Sequence, residues 1–202
     1  MTVPPGVVRI GVVVGVPEPH GPVLRAERIA TGDPEAHAIA PHITLLGPTD
    51  LVAGVLDEVD AHLAAVASAH RPFVVQLRGT GTFRPVTPVV FLQLSRGISD
   101  CEQLERGIRQ GPLATPVRFP YHPHVTVAHG VPEPVLDEVF DRLSGFEATF
   151  VVTGFSRYEQ DDDGTWCAVR TFRLRGGSAS RPAASAIWCV QRARLPHHNL
   201  GR

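Results

Sequence analysis

Two histidines and two threonines carry the chemistry this sequence offers. His42 and Thr44 lie in the run His42-Ile43-Thr44-Leu45, and His124 and Thr126 in His124-Val125-Thr126-Val127. Proline precedes each run (Pro41, Pro123), and the same pentapeptide, Val-Leu-Asp-Glu-Val, follows each, at 55–59 and 135–139. Residues two apart on a strand share a face, so each run would present an imidazole beside a hydroxyl. Two such strands facing one another would surround one small anionic group with two of each. Histidine has an ordinary pKa of about 6.5, so near neutrality one ring can accept a proton while the other gives one. Each transfer accelerates a reaction by on the order of 10²–10⁴. Threonine hydroxyls would hold the non-bridging oxygens and stabilise developing charge. This equipment suits acid–base chemistry on a phosphodiester, with no metal and no cofactor expected.

The elements that must position these groups can be read from periodicity and punctuation. A β-branched run over 7–16 predicts a buried strand. A helix through Leu24, Arg28 and Ile29 follows, ending near Gly32-Asp33. The first motif strand covers 41–46 and closes at Gly47-Pro48, and Asp50 is expected to cap the next helix. That helix places Leu51, Val55, Leu56, Val59, Leu63 and Val66 at three- and four-residue spacing. Strands are expected over 73–83 and 89–94, then a short helix from Ser99 or Asp100 through Leu104 and Ile108. The second motif strand (124–128) leads to a helix over 133–143 and strands over 148–158 and 165–174. Both halves therefore run motif strand, helix, strand, strand. This repeat predicts an α+β fold of two pseudo-symmetric lobes around a central cleft, each a small, mostly antiparallel sheet with outer helices. That bilobal domain is placed at 1–175. The stretch 176–202, opening Gly-Gly-Ser-Ala-Ser-Arg-Pro, holds no amphipathic period and is expected to be a flexible tail.

Composition narrows the function classes. Of 202 residues, 43% are hydrophobic and 19% charged, which fits a globular chain rather than a disordered one. The net charge of -1 argues against an extended nucleic-acid groove. Any nucleic-acid substrate is expected to be short or held at one end. All 19 basic residues are arginine, which removes lysine as a nucleophile or Schiff-base former. Three cysteines (Cys101, Cys167, Cys189) are too scattered for a zinc motif or a disulfide framework. The apolar run over 10–16 has neither the basic leader nor the cleavage site of a signal peptide, and no stretch approaches the roughly 20 apolar residues that span a bilayer. A monomeric, cytoplasmic protein in a reduced compartment is expected.

The paired motifs make the sequence resemble the two-histidine (2H) phosphoesterase superfamily, in its 2'-5' RNA ligase-like branch. That family is defined by two His-x-Thr/Ser motifs, each in a strand, and the resemblance covers about 7–175. It implies metal-free hydrolysis, or occasionally ligation, of 2',3'-cyclic or 2'-5' phosphodiesters of nucleotides or RNA ends. The histidines would be the catalytic pair, with His124 assigned as base and His42 as acid, and Thr44 and Thr126 would bind the phosphate.

Further candidates rank below these four. Tyr121, Phe83 and Trp166 could stack on a base, although core packing is the commoner fate of such aromatics. His122 shares parity with His124 and could line the cleft. His129 has the opposite parity if its strand stays regular, which favours a structural role. Arg84 and Arg157 occupy comparable places in the two halves and could meet phosphate or ribose. Surface arginine is the safer default for both. His62 and His70 are expected to be solvated, and His20 and His37 to lie in connections. Two competing functions remain: a metal hydrolase built on His122, His124 and His129, and a nucleotide- or RNA-binding module without turnover.

Overall fold

The computed structural model describes residues 6–117 and 119–176. Nearly all of the expected tail lies outside them. Among the described residues the chain forms β1 (Val7–Gly15), α1 (His20–Ala30), β2 (His42–Val52), α2 (Leu56–Ala69), β3 (Phe73–Thr82) and β4 (Val89–Arg96). The second part holds α3 (Ile98–Ile108), β5 (His124–His129), α4 (Glu133–Arg142), β6 (Glu147–Val152), β7 (Gly154–Gln160) and β8 (Trp166–Arg173). No helix among the described residues is long and apolar enough to cross a membrane.

The fold is α+β and antiparallel, as the sequence predicts, but its strands form one sheet rather than two. Their order is β6-β3-β4-β5-β2-β1-β7-β8. The two motif strands, β5 and β2, are neighbours at its middle. Strands that follow the first motif in sequence, β3 and β4, belong to the half built around the second. In a flat sheet β6 and β7 would stand six strand spacings apart, roughly 29 Å at about 4.8 Å each. Only Thr153 separates them in the chain, and one intervening residue allows a Cα span of about 7 Å. The sheet must therefore be strongly curled.

The four helices cover one face of this sheet. Ile43, Leu45, Val125 and Val127 from the motif strands are at most 1% exposed. They share a core with Leu24 of α1, Leu63 of α2, Leu104 of α3 and Leu136 of α4. Burying each such side chain contributes about 1.5–3 kcal/mol, which pins the register of the motif strands. Slipping either strand by one residue would carry its imidazole and hydroxyl into this core.

Two expectations fail for identifiable reasons. Asp50 caps no helix: β2 continues past Gly47-Pro48 to Val52. There Asp50 pairs across the ladder with Arg9, whose Nε lies 2.6 Å from its carboxylate. The single strand expected over 148–158 divides at Thr153, because β6 pairs with β3 and β7 with β1 and β8.

Candidate active site

Each motif strand aims its side chains by alternation. His42 and Thr44 are half-buried on one face of β2, while Ile43 and Leu45 are buried on the other. His124 and Thr126 repeat this on β5 against Val125 and Val127. The two strands meet through the antiparallel pair Ile43 and Val125. One step along either strand then sets His42 opposite Thr126 and Thr44 opposite His124. In a regular ladder opposite residues stand about 5 Å apart at Cβ and diagonal ones roughly 7–8 Å. The imidazoles thus occupy one diagonal and the hydroxyls the other. All four line a single cavity of about 350 Å³.

The ring orientations explain the proline before each histidine. His42 Nδ1 lies 2.8 Å from the carbonyl of Ala40, and His124 Nδ1 lies 2.7 Å from that of His122. A carbonyl only accepts, so each Nδ1 must carry hydrogen. Pro41 and Pro123 stand between ring and carbonyl and hold the preceding residue in extended backbone. Each Nε2 takes no partner among the described residues and is not sealed from solvent. It is a free acceptor when the ring is neutral and a donor when the ring is charged.

Burial shifts both rings. Desolvation, reinforced by the charges of Arg28 and His124 and opposed by the Ala40 carbonyl, pushes His42 down to about 4. His124 is also pushed down, mainly by burial and further by His122, against its bond to the His122 carbonyl. Aromatic rings brace His124 on one side. Phe83 meets it edge-on with centroids 4.9 Å apart, and Phe91 lies at 5.1 Å.

A second cavity, of about 520 Å³, opens from the same centre and shares Thr44, Phe83 and His124 with the first. Its outer wall is apolar, with Val86, Val117 and Phe119 at 73%, 58% and 57% exposure. Tyr121 and His122 line it as well. The Tyr121 hydroxyl donates to the carbonyl of Thr44 at 2.9 Å, tying this wall to the first motif strand.

The other sequence candidates divide. Phe83 borders both cavities, and Trp166 lines the first, where Gly11 leaves room for its ring. His129 also lines the first cavity, against its parity. The β4–β5 register slips between Val90 and Phe91, so Val127 and Ala128 are both buried and His129 emerges on the cleft wall.

Arg157 lines neither of these two cavities. It is 4% exposed, with Nε 2.8 Å from Asp60 and one terminal nitrogen bonded to Glu159. Arg84 turns to Glu133 and Asp137 at 2.6 and 2.8 Å and reaches neither cavity. His62 is half-buried rather than fully solvated: its Nε2 lies 3.1 Å from the carbonyls of Gly107 and Ile108, linking α2 to α3. Among the described residues no cluster of three or more His, Cys, Asp or Glu side chains could hold a metal.

The residue that sequence reading missed is Arg28, which lies on the first cavity's wall and is 5% exposed. A signal was available. Leu24 and Arg28 are one turn apart and share a helix face, so an arginine there is carried into the interior.

Comparison with known proteins gives a consistent picture. A family model described as the 2'-5' RNA ligase superfamily matches residues 16–164. A protein of Oceanobacillus iheyensis described as a phosphoesterase is 27% identical over 144 residues, covering 70% of this chain and 84% of its own length. One from Bacillus thuringiensis with the same description is 26% identical over 148 residues, covering 72% and 86%. Among solved structures, E. coli LigT complexed with 3'-AMP superimposes with a TM-score of 0.60 at 18% identity, over 83% of this chain and 98% of its own. The protein TT0787 of Thermus thermophilus does so with a TM-score of 0.58 at 23% identity, over 84% and 100%.

Proposed function

Because this chain belongs to the 2'-5' RNA ligase superfamily, we propose that it is a metal-independent phosphodiesterase acting on 2',3'-cyclic or 2'-5' linked nucleotides or RNA ends. The observation that carries this reading is the symmetry of the two rings. Each commits Nδ1 to a carbonyl two residues back and leaves Nε2 open on one shared cavity. The phosphorus would sit between the rings, with the Thr44 and Thr126 hydroxyls donating to its non-bridging oxygens.

The electrostatics favour the reverse of the roles assigned from sequence. His42, beside Arg28 and held down to about 4, is the ring more readily kept neutral. It serves as base, taking the proton of the attacking water through Nε2. His124 then protonates the departing ribose oxygen. When a ribose hydroxyl replaces water as nucleophile on a cyclic phosphate, the same two proton transfers join two ends, so ligation at this centre breaks the same ring ester bond with an alcohol in place of water. The apolar second cavity suits the face of a nucleobase, and the complex of LigT with 3'-AMP supports a nucleotide as the ligand class.

The test is a screen of the purified chain against the four 2',3'-cyclic mononucleotides, a 2'-5' dinucleotide and ADP-ribose 1'',2''-cyclic phosphate, with the product phosphate located by NMR. Turnover should survive a chelator. His42→Ala and His124→Ala should each depress it by at least about two decades with folding retained. Near-normal turnover in both variants, or no turnover of any substrate by the wild type, refutes the reading.

A further inference from the structure

Arg28 behaves unlike the other buried arginine among the described residues. Arg157 closes its fork on carboxylates, with Asp60 and Glu159 as partners. Arg28 uses only Nε, which donates to Asp33 Oδ2 at 2.7 Å. Asp33 is itself fixed, its other oxygen accepting from the backbone N–H of Glu35 at 2.8 Å. A guanidinium has five N–H donors, and the four on the terminal nitrogens take no acceptor among the described residues. Neither terminal nitrogen is sealed from solvent, and the side chain lines the cavity that holds His42 and His124. The cation is thus oriented by a buried carboxylate and offers the flat, forked edge that matches two oxygens of one phosphate.

Its position is off-centre. The charge of Arg28 acts on His42 and is not among the causes that shift His124. Glu35 also stands on the cavity wall but is exposed, where water and salt screen its repulsion.

We propose that Arg28 is an anion-binding residue of this cleft, taking a phosphate oxygen of the substrate on the His42 side of the centre. This rests on the phosphodiesterase reading for the identity of the substrate, not for the existence of the anion site. The oxygen belongs either to the reacting phosphate or to a second, terminal phosphate of the same nucleotide.

The experiment uses the full chain and two variants chosen to avoid an orphaned buried carboxylate. One is the double variant Arg28→Gln with Asp33→Asn, and the other is Arg28→Lys. Inorganic phosphate binding is measured by calorimetry. Values of kcat/KM are measured on adenosine 2',3'-cyclic phosphate with and without a 5'-phosphate, and thermal melts establish folding. The double variant should weaken phosphate binding at least tenfold and lower kcat/KM, with Arg28→Lys recovering part of both. An equal loss on the two substrates assigns the oxygen to the reacting phosphate. A loss several-fold larger on the 5'-phosphorylated one assigns it to the terminal phosphate. Unchanged phosphate affinity and kcat/KM in a folded double variant overturn the proposal. A wild type that binds phosphate through Arg28 yet turns over no phosphodiester would refute the enzyme reading and leave this site standing.

Discussion

Burial holds the His42 ring down to about 4, and the fields of Arg28 and His124 add to it against the pull of the Ala40 carbonyl. Two measurable consequences follow at this scale. The first concerns rate: kcat/KM reports the free enzyme, in which both rings are shifted downward. Its pH profile should be a bell centred on the acid side of 6.5, with the rising limb near 4 belonging to His42. A profile centred above pH 7 contradicts these fields. The second concerns stability. The folded ring titrates below its unfolded value of about 6.5, so the unfolded chain takes up a proton first as pH falls. The contribution of His42 is complete above about 6.5, declines from there to about 4, and changes no further below. His42→Gln should therefore lose less stability than wild type between pH 7 and 4.5 in urea melts. An identical acid loss in both proteins would sink the assignment.

Among the elements, an ion cluster fastens α2 to the β7–β8 ladder. Asp60 of α2 receives Arg157 Nε at 2.8 Å and Arg170 at 2.8 Å, and the Arg157 and Asp60 side chains are only 5% and 9% exposed. Removing one partner of a buried pair costs about 3–5 kcal/mol. Arg157→Ala is expected near the low end, because Arg170 still faces Asp60. Arg84→Ala, whose acidic partners Glu133 and Asp137 are largely solvated, should cost about 1 kcal/mol or less. Urea midpoints separate the two, and turnover per folded molecule should persist in both. Equal costs would show that burial is not the deciding factor. These arginines also mark where the sequence stops being legible. Proline, parity and apolar alternation are local, so His42, Thr44, His124 and Thr126 could be placed on shared faces from spacing alone. Which guanidinium meets a carboxylate depends on elements far apart in the chain: Asp60 and Arg157 are brought together by packing that no periodicity encodes. The same limit hid the strand character of Asp50, whose partner Arg9 belongs to β1, and the slip that turns His129 to the cleft.

For the molecule as a whole, the strand order is the part of the fold that repetition alone could not supply. Two matching motifs suggest two self-contained units, but β3 leaves the first repeat for the half built on β5, and β7 and β8 join the half built on β2. A chain cut between Arg84 and Thr87 should therefore give two pieces that remain unfolded separately and regain structure when mixed, as followed by circular dichroism. A cooperative melt from either piece alone would contradict this. Counted outward from the central pair, the halves read β5-β4-β3-β6 and β2-β1-β7-β8, an exchange of outer strands between equivalent partners. A polypeptide bearing a single repeat could complete its sheet only by borrowing from a second copy. The smallest self-sufficient version of this architecture is then a strand-swapped homodimer, each subunit donating one imidazole to a shared centre. Covalent fusion releases the copies from identity, which is the freedom that leaves one ring beside a guanidinium and the other among phenylalanines.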